Sequence, residues 1–521
     1  MPYKTPPKLL INGVPMDYEG IVKYLGVYLD KGLLWKDHIN IKLKKAKKRL
    51  FQIVKVCRAT WGLPPSAVLY YYQCCIVPLF MWGCLVWARA CRYKTVQNEL
   101  KKFQRQALKI MGPIRRSTPT RGLEIMNYCR PLELEIRKIS AEVFLRTRPT
   151  NKMPKEALKT KKITQKGHRA WAEDYLKVIN FPYIDAPLDV CIRKWIWDKK
   201  FTVDLSNTDK SNDNFGQTKK DTHFNIFTDG SVIKTGQETI FGKTTAVGSG
   251  AYIFGGIDTI STKLSPDTTI GQAETYAIKA SAKWLLKNQK EIEGETVAIY
   301  CDSLSTLQAL QSPVTTSPLV YKTWQLLNAV ANKCNALYLR WCKSHVGIPG
   351  NEAADKLAVA AAKSEGPCTL DSPAIAYAIA KYKIRVATDW YWSYLFKHLP
   401  ECRQTKMWWP KVDKGRAKKI VKLTRRKWGL ITQFMTGHNF LNRHNFLVKP
   451  EEVDPTCQKC AHGYIQDTEH IIAKCPYYLG LRTTLFNRLQ LDPPFDDLPI
   501  QKVLDFLSQS GLEALSLGET T

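Results

Sequence analysis

Hydrophobic positions change their spacing along the chain, and the changes predict where helices and strands lie. Residues 1–40 have short apolar runs typical of strands and turns, with YLGVYLD predicted as one strand. From residue 41 to about 150 the apolar positions recur at helical spacing, and the helix in NELKKFQRQALKIMG is closed by Gly112 and Pro113. The pattern therefore predicts a mainly α-helical N-terminal region over residues 1–150.

The rest of the chain has a mixed character. Residues 151–221 are polar and poor in aliphatic side chains towards their end, which is typical of a linker. Strands then alternate with helices over 222–363, which predicts an α/β domain. A basic, tryptophan-rich helical connector is predicted over 364–450. It is followed by a cysteine–histidine cluster in 451–480 and a tail over 481–521.

An uncharged run over residues 59–88 is long enough to cross a membrane as a helix. Pro64, Pro65, Pro78 and Gly83 interrupt it, however, and basic residues flank both of its ends. These features favour a buried helical hairpin over a transmembrane helix, and we expect no membrane partner for this segment.

Charge narrows the class of partner. The 521 residues have a formal net charge of +32, and 44% of them are hydrophobic, as in globular proteins of several domains. A strongly basic chain concentrates polyanions, so nucleic acid is the leading partner and an acidic membrane surface the alternative.

The cellular location can be predicted only broadly. The fifteen cysteines are odd in number and scattered, and MPYKTPPKLL has no signal-peptide pattern, so we expect an intracellular protein that is not secreted. The basic run KLKKAKKR fits a nuclear signal or, preferably, a solvated helix that faces nucleic acid. Nucleus and cytoplasm both stay open.

Four acidic residues in the α/β region follow a pattern that suggests metal chemistry. Two of them end predicted strands (FNIFTDGS and TVAIYCDS), and two lie in early helical turns. One edge of a sheet could bring all four together, and carboxylates that close repel one another unless cations neutralise them. Two magnesium ions about 4 Å apart would suit such a site. The four residues are Asp229, Glu274, Asp302 and Asp355.

Each of these residues alone fits a surface charge or a helix cap, and His345 alone fits an ordinary loop histidine. The joint pattern is more informative, because FTDGS, QAETYAI, YCDSLSTLQAL and KSHVGIPGNEAAD occur in this order. Together they resemble the type 1 ribonuclease H domain, especially that of non-LTR (LINE-type) retrotransposon reverse transcriptase polyproteins. The resemblance covers about 140 residues.

This resemblance implies a ribonuclease H-like fold, with a mixed five-stranded sheet and helices, and an activity that cuts the RNA strand of RNA–DNA hybrids. Asp229, Glu274, Asp302 and Asp355 would bind two Mg²⁺ or Mn²⁺ ions. His345, in a mobile loop, would assist proton transfer or product release. Weaker candidates for contacts with the hybrid are Gly230, Ser231, Gln272, Ser303 and Asn351.

The basic insertion that some cellular members carry is missing, since QSPVTTSPLVYKTWQLLNAVANKCN is short and nearly neutral. We therefore expect the flanking basic regions to supply much of the affinity for the hybrid.

A second metal site is predicted near the C-terminus from Cys457, Cys460, His470 and Cys475. Two thiolates three positions apart, followed by His and Cys, provide a tetrahedral set for a structural Zn²⁺. The alternative is chance clustering, and His462 is a competing ligand. The spacing resembles the CCHC zinc knuckle of the same retrotransposon proteins, with a longer gap than in retroviral knuckles.

Other segments agree with this family. KYLGVYLDKGLLWKDHI and PLFMWGCLVWA resemble the thumb and connection of a non-LTR reverse transcriptase, and TGHNFLNRH resembles the segment before the knuckle. The paired aspartates Asp496 and Asp497 lie in a proline-flanked stretch instead of between apolar strands, so we expect no reverse transcriptase activity. The leading hypothesis is a ribonuclease H. The alternatives are a catalytically inactive nucleic-acid-binding relic and, disfavoured by the order of the acids, a transposase or integrase.

Overall fold

The computed structural model of the chain divides into two compact units. The helical unit comprises residues 1–141, 166–175 and 388–521, and the sheet unit comprises 142–165 and 176–387. Within these bounds the structure describes residues 10–16, 19–58, 60–147, 168–191, 194–196, 198–208, 218–219, 221–222, 224–239, 242–253, 256–460 and 462–516.

The strands and helices are numbered in chain order. The strands are β1 Leu10–Ile11, β2 Val14–Pro15, β3 Ile21–Tyr24, β4 Val27–Asp30, β5 Trp195–Ile196, β6 Thr202–Asp204, β7 Phe224–Thr239, β8 Gly242–Ile253, β9 Asp258–Leu264, β10 Thr296–Cys301, β11 Val314–Thr315 and β12 Ala336–Trp341. The helices are α1 Lys36–Val54, α2 Pro65–Tyr71, α3 Pro78–Met81, α4 Cys84–Trp87, α5 Lys94–Lys109, α6 Thr120–Met126, α7 Leu132–Thr147, α8 His168–Val178, α9 Ile270–Lys287, α10 Leu304–Gln311, α11 Pro318–Ala331, α12 Pro349–Lys363, α13 Tyr377–His398, α14 Arg403–Trp408, α15 Lys414–Val421, α16 Arg425–Thr436, α17 Asn442–Val448, α18 Leu479–Phe486, α19 Ile500–Gln509 and α20 Leu512–Ser516.

The sheet unit is built on a mixed sheet with the strand order β6-β12-β10-β7-β8-β9. Strands β6, β12, β10 and β7 run parallel, whereas β8 and β9 pair antiparallel to their neighbours. We predicted five strands, so β6 is a correction. Its three residues lie in a stretch expected to be a linker and are too few to produce a recognisable strand pattern.

The two faces of the sheet are covered differently. Buried aliphatic side chains of β7, β10 and β12 pack against helices α9, α10 and α11 to form the main core. Helix α12 lies on the opposite face, where it contacts β7, β8 and β9. The helix approaches closely because β8 has glycine there. A Cβ atom added to Gly250 would lie only 2.4 Å from the carbonyl oxygen of Ala354.

Much of the expected linker belongs to the sheet unit, so that prediction is wrong for its described part. Asp189 accepts hydrogen bonds from the Ser317 hydroxyl (2.8 Å) and from the Gln272 amide (2.9 Å), and β5 pairs with β11. The buried guanidinium of Arg340 on β12 forms ion pairs with Asp204 (3.3 Å) and Asp221 (2.5 Å). These contacts are made by polar side chains, which give the segment the polar composition that is typical of a linker. Residues 151–167 of the predicted linker lie outside the described part.

Two local predictions also need correction. We expected the strand that carries Asp229 to end there in a turn, but β7 continues to Thr239 because it pairs with β8 beyond Asp229. We expected YLGVYLD to form one strand. Instead, Leu25 and Gly26 have positive φ angles and make a turn between β3 and β4.

The helical unit follows its hydrophobic pattern more closely. Helix α5 buries Val96, Leu100, Phe103 and Ala107, which are spaced three or four residues apart along one face. The predicted tail contains a packed helix, since α19 buries Val503 and Phe506.

Within the uncharged run, helical backbone extends from Pro65 to Met81 and resumes at Cys84, with a break at Trp82 and Gly83. Among the described residues, no single helix is long and apolar enough to span a membrane. The pair Pro65–Met81 and Cys84–Arg92, bent by 63°, meets the length and composition criteria only when taken together.

The close packing of α12 on β8 leads to a stability prediction. In Gly250→Ala, the new methyl group would collide with the backbone of Ala354 and Ala358, so we expect at least about 2 kcal/mol of destabilisation. Gly271→Ala is the matched control, because its methyl group would have 3.9 Å to its nearest neighbour and should change stability by less than about 1 kcal/mol. Thermal and urea unfolding of the full chain would measure both. Equal effects of the two substitutions would contradict the packing.

Candidate active site and metal centre

Asp229 and Asp302 are neighbours at one edge of the sheet. Thr228 on β7 pairs with Cys301 on β10, so the residues that follow them in these parallel strands lie side by side. Asp229 is 7% exposed, and the backbone N–H of Gly230 donates to its carboxylate at 2.7 Å. The pattern of two acids at adjacent strands, predicted from sequence, is therefore present, although Asp229 lies within its strand and not at its end.

Glu274 reaches the same place from α9. The helix begins with a capping box, in which Thr269 and Gln272 bond to each other's backbone N–H. Gly230 lets α9 approach β7, since a Cβ atom there would lie 2.8 Å from the backbone nitrogen of Glu274. The Glu274 carboxylate is buried, and a carboxylate oxygen of Glu274, the thiol of Cys301 and an oxygen of Asp302 all lie within 4.8 Å of one another.

Asp355 completes the group of four acids from α12, where it is hydrogen-bonded to Asp229. One turn earlier, Asn351 is 3% exposed, and its side chain lowers the pKa of Asp302. The Cys342 thiol donates to the Asn351 side-chain oxygen at 3.4 Å. Asn351 is therefore buried beside an acid of the site, and its expected contact with the hybrid stays a prediction.

Electrostatics show how costly this arrangement is. Burial, and then the neighbouring Asp302 and Asp355, raise the pKa of Asp229 to about 8. Burial, followed by Asp229 and Asp302, raises the pKa of Glu274 to about 9. The pKa of Asp302 is also raised, chiefly by burial, although Asn351 and His345 act in the opposite direction. Without cations, the site therefore holds protons at neutral pH.

His345 lies in the loop between β12 and α12. Its side chain is exposed, its φ angle is 55°, and Gly347 in the same loop also has a positive φ. It also lowers the pKa of Asp302, so its ring lies in the neighbourhood of the acids.

The remaining candidates for substrate contacts differ in accessibility. Ser231 and Ser303 are partly exposed, and the Ser303 hydroxyl donates to Thr306 at 3.0 Å. Gly230 is buried against α9. Gln272 is 7% exposed, and its amide donates to Asp189 and to the Ala374 carbonyl oxygen. The side chain of Gln272 is thus held within the protein, and its expected contact with the hybrid stays a prediction.

The four residues predicted for zinc converge in the helical unit. Their candidate ligand atoms all lie within 4.8 Å of one another, and all four side chains are buried. The sulfur atoms of Cys457 and Cys475 are 4.0 Å apart, close to the roughly 3.8 Å expected for two thiolates on a tetrahedral zinc. The sulfur of Cys460 is 3.5 Å from Nε2 of His470.

His462, the competing ligand, lies beside the cluster. Its Nδ1 atom lies at the backbone oxygen of Cys460, but it is not one of the four residues whose ligand atoms lie within 4.8 Å of one another. Asp467 instead orients His470, by accepting a hydrogen bond from its backbone N–H at 2.9 Å.

The raised pKa values predict how stability depends on pH in metal-free protein. The folded state favours protonated Asp229. The contribution of Asp229 to the free energy of unfolding is therefore fully present below about pH 4, its ordinary pKa, and is lost as the pH rises through about 8. Asp229→Asn stays neutral, so with chelator at about pH 9 we expect its Tm to exceed that of the unchanged chain by roughly 2–8 °C.

The Tm difference should be several-fold smaller at about pH 5, because the pH is then only about one unit above the ordinary pKa that Asp229 has in the unfolded chain. Glu293→Gln, at an exposed position in the loop after α9, is the control and should leave the Tm unaltered at both values. A Tm difference for Asp229→Asn that does not depend on pH would contradict the electrostatic account.

Comparison with known proteins agrees with this geometry. Residues 221–363 match the family model described as RNase H. Over 130 residues the chain is 25% identical to the Retrovirus-related Pol polyprotein from type-1 retrotransposable element R1 of Bradysia coprophila, which is 25% of this chain and 13% of that protein. Over 105 residues it is 27% identical to the Probable RNA-directed DNA polymerase from transposon X-element of Drosophila melanogaster, which covers 19% of this chain and 12% of that protein.

A third relative is the Putative 115 kDa protein in type-1 retrotransposable element R1DM of Drosophila melanogaster. It is 24% identical over 140 residues, which is 27% of this chain and 14% of that protein. The chain thus spans about an eighth of the length of these three relatives. Residues 221–363 are an RNase H domain, and the chain that contains it is related to the Pol polyproteins of LINE-type retrotransposons.

Proposed function

We propose that this chain is a metal-dependent endoribonuclease that hydrolyses the RNA strand of RNA–DNA hybrids. The observation that carries the proposal is the convergence of Asp229, Glu274, Asp302 and Asp355 from two strands and two helices of an RNase H domain. A structural role explains this poorly, because buried carboxyl groups that raise one another's pKa destabilise the metal-free fold.

The donor set fits hard divalent cations. The four acids offer carboxylate oxygens, which magnesium and manganese prefer over nitrogen or sulfur ligands. Two such ions would provide Lewis-acid stabilisation of the phosphate oxygens and a water of lowered pKa. Cys301 and Cys342 are buried next to the acids, and burial raises the pKa of both thiols, so they would remain protonated and leave the oxygens as ligands.

The protein's own residues would orient these groups and move protons. Asn351 lowers the pKa of Asp302 and would help to keep its carboxylate ionised and oriented towards a metal ion. Exposed His345, in the loop beside Asp302, is placed to exchange protons between the site and solvent as the RNA 3′-oxygen leaves. Ser231 and Ser303 are the partly exposed polar candidates for contacts with the RNA strand.

The alternative is a catalytically inactive chain that only binds nucleic acid. Its net charge of +32 would suit that role equally well. The complete set of four acids favours the enzyme, because the loss of any one would have been enough to abolish catalysis.

Cleavage assays on the full chain test the proposal. With magnesium, we expect the RNA strand of a labelled RNA–DNA hybrid to be cut, and duplex DNA and duplex RNA to stay intact. Asp302→Asn should lower the rate by at least about 10³-fold, because it removes an anionic metal ligand without changing shape. The control Glu293→Gln removes an exposed carboxylate of the same domain and should cleave at the original rate.

Chelator should abolish cleavage by the unchanged chain. Equal cleavage by the unchanged chain and Asp302→Asn, or none by either with magnesium or manganese present, would contradict the enzyme and favour the binding relic.

We further propose that Cys457, Cys460, His470 and Cys475 bind a structural zinc ion. The support is that their ligand atoms are buried and close together. Thiolates this close would repel one another without a cation. The zinc would hold together the segment between Cys457 and Cys475 and aid nucleic-acid binding.

Metal analysis of purified protein provides the test. We expect one zinc per chain, and a Cys457→Ser, Cys475→Ser double variant should lose it together with part of its thermal stability. Cys74→Ser, which changes an exposed thiol outside the cluster, should keep the zinc. A zinc content near zero in the unchanged protein would refute the site.

A further inference from the structure

A group of basic side chains in the helical unit includes none of the residues of the two sites described above. We call it the basic cluster, and its members come from α5, the loop before α6, and the segment around α17. They are Arg105, Lys109, Arg115, His438, Arg443 and His444.

Hydrogen bonds hold the cluster together. Arg105 donates to the Thr118 carbonyl oxygen at 2.6 Å and to the Arg116 carbonyl oxygen, which fixes the loop before α6 against α5. From the other side, Nε2 of buried His444 lies 3.3 Å from the Ser117 hydroxyl. The positions of Arg105, Ser117 and His444 are therefore set by the fold, and Arg115 and Arg443 lie within two residues of Ser117 and His444 in the chain.

The two histidines pack against each other, with ring centroids 5.0 Å apart. Burial, and then His444, Arg105 and Arg443, lower the pKa of His438 to about 4. Burial, followed by Arg115 and Arg443, also lowers the pKa of His444. Both imidazoles are thus neutral at physiological pH, although arginine charges surround them.

The charge of the cluster is not compensated. Within the described part of the chain, Lys109, Arg115 and Arg443 form no ion pair with an acidic side chain, and the Arg115 side chain is exposed. By contrast, Arg130 of the same unit is neutralised by Asp389 and Glu135. In addition, Nδ1 of His438 is buried and has no hydrogen-bond partner. An anion with several acceptor oxygens would satisfy both deficits.

We propose that the basic cluster binds a phosphate group of a nucleic-acid backbone. Arg115 and Arg443 would form charge-assisted hydrogen bonds with its oxygens, and the Ser117 hydroxyl would donate from the loop. A backbone phosphate is favoured over a free one because the cluster opens to the surface at Arg115 in a chain of net charge +32.

The cluster would contribute affinity without reading sequence, since contacts with phosphate carry no base information. The RNase H domain has no basic insertion that could supply affinity for the hybrid. The basic cluster would supply part of that affinity from a defined position in the helical unit. The inference does not require catalysis, because binding to the helical unit is independent of the acids at 229, 274, 302 and 355.

Fluorescence anisotropy of the full chain in chelator tests the cluster, with a labelled RNA–DNA hybrid and a labelled mononucleotide as probes. The test variant is Arg115→Gln with Arg443→Gln. Lys422→Gln with Lys502→Gln is the control, because it removes the same charge from exposed positions of the same unit. We expect the test variant to bind the hybrid roughly 10-fold more weakly than the control at about 0.1 M salt.

The salt dependence is the sharper readout. The slope of log K against log salt concentration should be smaller by about 2 in the test variant, and by about 1 in the single variant Arg115→Gln, whose exposed side chain is not needed for folding. Test and control variants with equal affinities and slopes would overturn the proposal. So would weaker binding of the mononucleotide alone with unchanged hybrid binding, because the cluster would then serve free phosphate compounds.

Discussion

The mutual repulsion of buried carboxyl groups at the junction of β7 and β10 is the constraint on which the rest of the sheet unit depends. Register brings Asp229 next to Asp302, and the glycines at 230 and 250 let one helix approach from each face of the sheet. These helices add Glu274 and Asp355, which makes the pKa of the acids rise. The fold therefore concentrates negative charge where it is least stable, and cations are the simplest compensation.

A neutral side chain next to the acids and a cationic side chain near the edge of the sheet stabilise this arrangement. Buried Asn351 lowers the pKa of Asp302 within the site, whereas the buried Arg340 pairs with Asp204 and Asp221 near the edge strand β6. Strand β6 and the segment around Asp189 tie residues well before the family match into the same unit. The functional domain is thus larger than the stretch that its motifs delimit, and a fragment limited to residues 221–363 would lack an edge strand and its ion pairs.

The sequence predicted the acids because two of them end apolar runs and two lie in early turns of amphipathic helices, in an order that resembles the ribonuclease H domain. The spacing of Cys457, Cys460, His470 and Cys475 likewise predicted a cluster whose ligand atoms the fold brings together. What the sequence could not show depends on tertiary contacts: β6 is only three residues long, and the amide of the capping residue Gln272 is held by Asp189, some eighty positions away in sequence. The uncompensated charge of the basic cluster was also invisible, since Arg105, Arg115 and Arg443 are brought together only by folding.

The central claim is that the four acids form a site built for divalent cations, and proton release on metal binding tests it most directly. Because Asp229 and Glu274 are held with pKa values of about 8 and 9 in the absence of metal, magnesium must displace protons from them at neutral pH. Calorimetric titration of the full chain with magnesium, in buffers of different ionisation enthalpy, counts these protons. The account predicts the release of at least one proton per chain near neutral pH, and less in Asp229→Asn. Magnesium binding without proton release, or no magnesium binding at all, would contradict it.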